Sequence, residues 1–168
     1  MFNMDLIDDY LTTYTKSKNI TLKYDFSKNI VIALFKCEEI GSVTYIISSD
    51  DITIYNLRNR DVEKQEEKTI HILDVDVNSN HREMKLGTLL IASTILIGYK
   101  MGCTYSILDD MSDRAAQRVK NIYAKFGYTH KYVTNQPTNA IILGFPEKQL
   151  ELTSPVLLLQ TIKKLLIL

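Results

Sequence analysis

The sequence has few of the features that mark secreted, metal-binding or nucleic-acid-binding proteins. It contains two cysteines in 168 residues. Cys37 and Cys103 are too few for a disulfide framework and lack metal-ligand spacing. The 20 basic and 20 acidic residues cancel, which argues against a broad basic surface for nucleic acid. We therefore expect two free thiols in a reducing compartment, no metal and no nucleic-acid partner.

Long apolar runs and a basic leader are also missing. The C-terminal run over residues 156–168 carries Lys163 and Lys164 and is shorter than the roughly 20 residues that a spanning helix needs. Asp5, Asp8 and Asp9 stand where a signal peptide would be basic. These features predict a cytoplasmic protein that does not contact membranes.

The composition is that of a folded α/β domain. Apolar residues make up 45% of the chain and charged residues 24%, so a sizeable core can be buried. No internal repeat, low-complexity tract or linker divides the sequence. The length also fits one unit, and we predict a single domain over residues 1–168.

The first half of the chain predicts one helix followed by short strands. The helix is marked by an apolar stripe at helical spacing, with acidic residues in its first turn and basic residues in its last. Alternating apolar residues then predict strands, and the polar run 58–68 predicts a solvated loop. The stripe is Leu6, Ile7, Tyr10, Leu11 and Tyr14, the strands are 20–26, 30–36, 41–47 and 52–57, and the turns are 27–29 and 48–51.

The second half reads strand, helix, strand, helix, strand, strand. The helix over 85–100 is apolar nearly all round, which predicts burial against a sheet. A second helix follows, and Gly127 is suited to end it. A last helix begins at Thr153-Ser154-Pro155. It is either packed in the core or half of a homodimer contact. The strands are 69–77, 104–108, 128–133 and 139–145, and the second helix has the apolar face Ala115, Val119, Ile122, Tyr123 and Phe126.

The connection from strand 69–77 to helix 85–100 has the arrangement of a phosphate site. Backbone N–H groups at a helix N-terminus are unpaired within the helix and attract anions. Gly87 lies where the backbone would approach a pyrophosphate closely. Of all segments of the sequence, this turn most clearly indicates a binding site.

Two motifs around this turn resemble the GNAT superfamily of N-acetyltransferases. Arg82, Lys85 and Gly87 follow the family turn Arg/Gln-x-x-Gly-x-Gly/Ala, with lysine in place of the first glycine. Tyr123-Ala-Lys125-Phe-Gly127-Tyr matches the family signature Tyr-x-Lys-x-Gly-Phe/Tyr. The resemblance covers roughly residues 69–145, and the elements between the motifs have the family order.

The resemblance implies a fold and an activity. The fold is α/β, with a mixed, mostly antiparallel splayed sheet, helices on both faces, and added N-terminal and C-terminal helices. The activity is direct transfer of an acetyl group from acetyl-coenzyme A to a primary amine of a small molecule or of a protein (lysine or N-terminus), without a metal. The alternatives are a degenerate relative that binds coenzyme or a protein partner without catalysis, and an unrelated α/β domain that imitates the turn.

The resemblance also assigns roles to residues. Val75 and Val77 pair with the pantetheine amides, and Tyr123 protonates the departing thiolate. His71 stands where some relatives keep a catalytic glutamate and is one candidate base. Asp74 is the other; Asp74 and Asp76 share one strand face by the period of two and could bind a cationic substrate or relay a proton through water. Tyr123 can equally be a core residue, and the strand residues can equally be structural. The predicted pyrophosphate contacts are Arg82, Lys85, Leu86, Gly87 and Thr88.

Overall fold

The computed structural model describes residues 5–55, 62–103, 105–109, 126, 130–131, 140–144 and 155–166. In these ranges the chain forms three α-helices, a short 3-10 turn at Ser79–Met84 and a sheet of seven strands in the order β1-β2-β3-β4-β5-β7-β6. The helices are α1 Asp5–Lys18, α2 Leu86–Lys100 and α3 Pro155–Leu166; the strands are β1 Ile20–Asp25, β2 Ile30–Phe35, β3 Glu38–Tyr55, β4 Val62–Val77, β5 Tyr105–Asp109, β6 His130–Lys131 and β7 Ala140–Gly144.

The sheet is mixed and mostly antiparallel, as predicted. Among the described strands, only β4 and β5 run parallel, and they pair over Thr69–Ile72 and Tyr105–Leu108. The other described pairs are antiparallel. Pairing between β4 and β5 ends at Ile72 and Leu108, one residue before β5 itself ends at Asp109, whereas β4 continues to Val77. No other described strand pairs with β4 on that side beyond Ile72, which is compatible with the splay expected of the fold.

The three helices pack together on one face of the sheet. Their buried residues join those of the strands in one core, which includes Ile7 of α1, Leu90 of α2 and Ile162 of α3. Lys100 of α2 also donates to the Asp8 carboxylate of α1 at 2.9 Å. Phe126 is buried in this core. The remainder of the helix predicted around it lies outside the described residues, so an occupant of the second face remains a prediction.

Two expectations for the N-terminal half were wrong. The turn predicted at residues 48–51 is absent, because β3 runs through it without interruption. The loop predicted over 58–68 is largely strand, since β4 begins at Val62. β3 and β4 pair antiparallel from Gly41 opposite Val77 to Tyr55 opposite Val62, with one register shift between Thr44 and Tyr45. Pairing with a distant strand overrides the local turn preference of residues 48–51.

The predicted turn between β1 and β2 is present, and its side chains explain it. The Asp25 carboxylate accepts hydrogen bonds from the Ser27 hydroxyl at 2.6 Å and from the backbone N–H of Ser27 and Lys28. These bonds, the Ser27 hydroxyl first, lower the pKa of Asp25. Asn29 closes the turn with a φ of 53°, a conformation that asparagine tolerates.

The hairpin between β2 and β3 turns on two residues with positive φ. Lys36 has a φ of 51° and Cys37 a φ of 65°, the backbone of a type I′ turn, in which glycine and asparagine are favoured. Residues with a Cβ are strained there. Nothing in the local sequence signals this turn, because neither residue is a typical turn former.

Cys37→Gly should therefore stabilise the protein by about 0.5–1 kcal/mol, the relief of left-handed strain less the added freedom of the unfolded chain. Urea unfolding measures the gain. Cys37→Ser is the matched control, because it removes the thiol and keeps the strain. A Cys37→Gly variant no more stable than Cys37→Ser would contradict this interpretation of the turn.

Candidate functional site

β4 has a bulge close to the point where its pairing with β5 ends. We call the β5 side of β4 beyond Ile72, up to Val77, the notch. Thr44 of β3 lies opposite Asp74, but Tyr45 lies opposite Ile72, so Leu73 is an extra residue in β4. A bulge bends and twists its strand. Pairing between β4 and β5 also ends at Ile72. The bulge therefore coincides with the end of the pairing between β4 and β5.

The bulge sets which β4 residues face the helices. Ile70 and Ile72 are buried in the core before it, and Val75 and Val77 pack against the core after it. Since these four share the helix-facing side, the intervening positions point to the other face. The main chain of Val75 and Val77 lies in the part of β4 beyond its pairing with β5, as is required of residues predicted to pair with pantetheine.

The predicted base candidates share the sheet face away from α2. His71 is half-buried and lies in register between Ile46 of β3 and Ile107 of β5. Asp74 and Asp76 are exposed. His71 and Asp74 lie on either side of the bulge, close to the point where pairing with β5 ends.

The predicted phosphate turn connects the notch to α2. Asn78 follows β4 directly; its N–H donates to the Ile40 carbonyl at 2.8 Å, and its side-chain Oδ1 accepts from the Asn80 N–H. The 3-10 turn over Ser79–Met84 contains a non-helical residue, His81. The side chain of Arg82 lies outside the described part of the structure, so its predicted phosphate contact stays a prediction.

Lys85 is not the first helical residue, as the sequence suggested, but the N-cap of α2. It has a left-handed backbone, with φ 55° and ψ 39°. The Lys85 carbonyl accepts the first bond of the helix, from the Leu89 N–H at 3.0 Å. The N–H groups of Leu86, Gly87 and Thr88 precede that bond and point out of the helix end.

The three residues at the helix end differ in exposure. Leu86 and Thr88 are buried, whereas Gly87 is partly exposed. No described side chain caps this helix end, although serine, threonine or aspartate is usual there. A helix N-terminus without a described side-chain cap has N–H groups that are suited to phosphate oxygens.

A shallow cleft of about 360 Å³ opens on the other side of β4. It is lined by Glu39, Ile40, Gly41, Asp76 and Asn78. Gly41 permits close packing here, because a Cβ would lie 3.1 Å from the Asp76 carbonyl oxygen and 3.3 Å from Leu90. The cleft is on the β3 side of β4, so it is separate from the notch that faces β5.

Sequence reasoning missed one residue of this region, Tyr14. Its hydroxyl donates to the carbonyl of Met84 at 2.7 Å, so α1 contacts the predicted phosphate turn directly. The spacing of Tyr14 within the apolar stripe of α1 indicated only a core residue. Tyr123 lies outside the described residues, and its predicted role as acid stays a prediction.

Comparison with known proteins identifies the fold. No family model and no curated protein matches the sequence. Among solved structures, AtaT complexed with acetyl-methionyl-tRNAfMet is similar, with a TM-score of 0.52 at 10% identity over 82% of this chain and 78% of that chain. A mutant of the AtaT toxin gives a TM-score of 0.51 at 10% identity over 93% of this chain and 76% of that chain.

AtaT is a GNAT acetyltransferase. The chain therefore has the GNAT fold, which confirms the resemblance at the level of the fold. The low identity indicates a divergent sequence on that fold. No helix among the described residues is long and apolar enough to cross a membrane.

Proposed function

We propose that the chain is an acetyl-coenzyme A-dependent N-acetyltransferase that acts on a primary amine. One observation carries the proposal: beyond Ile72 no described strand pairs with β4 on its β5 side, and this stretch of β4 leads through the 3-10 turn to the N-terminus of α2, which no described side chain caps. An extended pantetheine arm needs backbone partners, and a pyrophosphate needs N–H donors. In this chain the edge of β4 and the N-terminus of α2 follow one another along the polypeptide, within a GNAT fold.

The roles follow from this arrangement. Val75 and Val77 offer backbone groups to the pantetheine amides, and the amides from Leu86 to Thr88 receive the pyrophosphate. Lys85 adds a positive charge at the same helix end. Arg82 is proposed as a further phosphate contact from its place in the motif.

The transfer itself is a single displacement at the thioester carbon. The amine nitrogen forms a bond to that carbon, the carbon–sulfur bond breaks, and coenzyme A leaves as thiolate. The amine loses a proton to His71 or Asp74, directly or through water, and Tyr123 supplies a proton to the thiolate. The acceptor is a small molecule or a protein amine; a neighbour of similar fold is complexed with acetyl-methionyl-tRNAfMet, which carries an acetylated amine.

Calorimetric titration of the purified protein with acetyl-coenzyme A tests the proposal. We expect one site per chain and a melting temperature that rises with ligand concentration, since ligand at 100 times Kd adds about 2.7 kcal/mol of stability. Release of free coenzyme A thiol with a panel of amines then separates an enzyme from a degenerate coenzyme-binding relative. Absence of binding would contradict the proposal.

Gly87→Glu should abolish the stabilisation by acetyl-coenzyme A. The partly exposed Gly87 lies in the first turn of α2, where a carboxylate would occupy the phosphate path and repel the phosphates. Gly87→Gln is the matched control, because it has the same size without the charge and should bind more tightly than Gly87→Glu. A Gly87→Glu protein that acetyl-coenzyme A stabilises as much as the parent would show that the phosphate site is elsewhere.

A further inference from the structure

The carbonyl of Met84 is held by a residue seventy positions away in the sequence. Tyr14 lies at the inner face of α1 with 8% of its surface exposed, and its hydroxyl donates to Met84 O at 2.7 Å. Burial raises the pKa of Tyr14, so the phenol stays protonated and able to donate at neutral pH. The Lys18 ammonium lies 5.9 Å from the centre of its ring.

Met84 O is the acceptor that a continuous helix would use for its own amides. In a 3-10 continuation the N–H of Gly87 would donate to it, and in an α-helical continuation the N–H of Thr88 would do so. Neither arrangement fits the left-handed backbone of Lys85. The Tyr14 hydroxyl gives the Met84 carbonyl a hydrogen-bond donor, so this carbonyl does not need an N–H group of α2 as its partner.

The opposite end of the turn is fixed separately. The Asn78 N–H donates to the Ile40 carbonyl, and the ring of His81 packs against Phe35 with the ring centres 5.8 Å apart. Of these contacts, only the hydrogen bond from Tyr14 to Met84 is adjacent to the N-cap residue Lys85. The backbone conformation of Lys85 decides which N–H groups of α2 are available to a ligand.

We propose that Tyr14 is a positioning residue for coenzyme binding: it holds the Met84 carbonyl away from α2, so that Lys85 stays left-handed and the amides of Gly87 and Thr88 remain free for phosphate. This inference rests on the proposed function. It assigns to the N-terminal helix, which lies outside the region of family resemblance, a part in forming the coenzyme site.

Tyr14→Phe tests the inference, because it keeps the ring and removes only the donor. We expect the affinity for acetyl-coenzyme A, measured by calorimetry well below the melting temperature, to fall by about tenfold. Tyr10→Phe is the matched control: Tyr10 is a half-buried tyrosine of the same helix whose ring also lies near a lysine ammonium, that of Lys163 at 5.5 Å. Its affinity should match that of the parent.

Two further measurements separate positioning from simple stability. In the protein without coenzyme, the Gly87 and Thr88 amides should exchange hydrogen more slowly in Tyr14→Phe than in the parent, because Met84 O returns to the helix. A merely structural loss would leave their exchange unchanged or accelerate it. Lys85→Gly adopts the left-handed backbone without strain, so in that background Tyr14→Phe should change the affinity less than twofold.

The outcomes distinguish this inference from the function on which it rests. A parent protein that does not bind acetyl-coenzyme A overturns both. Equal affinity in parent and Tyr14→Phe overturns only the role of Tyr14, as does an undiminished effect of Tyr14→Phe in the Lys85→Gly background. Faster amide exchange at Gly87 in Tyr14→Phe would likewise show that the contact only stabilises the fold.

Discussion

Tyr123→Phe is expected to lower turnover by at least about tenfold while leaving the affinity for acetyl-coenzyme A and the stability nearly unchanged. A positioned proton donor typically contributes about 10²–10⁴-fold to a rate. The substitution removes the donor and keeps the ring. The expectation comes from the match of Tyr123 to the family signature, and Phe126, three residues later, is buried in the core.

The measurement is kcat for release of coenzyme A thiol at saturating acetyl-coenzyme A, with an amine identified from the panel. Tyr128→Phe is a matched control, since it removes a second phenol from the same motif. Unchanged turnover, with chemistry shown to be rate-limiting, would leave thiolate protonation to water. A large loss of stability would instead indicate a buried structural hydrogen bond from the Tyr123 hydroxyl.

Loss of α3 should have the largest effect on stability. Ile162 is fully buried and Leu166 is 4% exposed, and both belong to the core that α1 and α2 share. Deleting residues 153–168 exposes the apolar surfaces that α3 covers, at about 25 cal/mol per Å². We expect a loss of several kcal/mol or aggregation. Because the truncated chain is not expected to fold, single substitutions in α3 measure the contribution of this helix to stability more directly.

Ile162→Ala should lower the free energy of unfolding by about 2–5 kcal/mol, the cost of deleting buried methyl groups and leaving a cavity. Gln160→Ala, an exposed change in the same helix, should stay within about 0.5 kcal/mol of the parent. Urea unfolding measures both. An Ile162→Ala protein as stable as Gln160→Ala, together with a stable monomeric truncation, would identify α3 as a detachable interaction element.

The position of α3 also bears on the alternatives that the sequence left open. Its apolar run was compatible with a core helix or with half of a dimer contact. Ile162 and Leu166 are buried within the chain itself, so the inner face of the helix is used for folding. A protein-binding role through that same face is therefore disfavoured.

Local periodicity was sufficient for the regular elements. Of the five residues in the predicted stripe of α1, Ile7, Leu11 and Tyr14 are buried. Tyr10 is half-buried and Leu6 is exposed, so the stripe identified the helix but not every core position. The nearly continuous apolar sequence of α2 correctly indicated a helix buried on most sides. The turn after β1 followed from residues within four positions of one another. These features depend on neighbours along the chain, which is why the sequence alone determined them.

Other features depend on residues far apart in the sequence. β3 passes through residues 48–51 because β4 supplies hydrogen bonds along that whole length, which outweighs the local preference for a turn. The expected splay depends on where β5 stops beside β4, and the left-handed Lys85 lies next to a carbonyl held by Tyr14. The sequence by itself determined α1, α2 and α3 and the strand-to-helix connection between β4 and α2. The tertiary structure decided the backbone conformation of that connection, because long-range hydrogen bonds select among conformations that local sequence leaves close in energy.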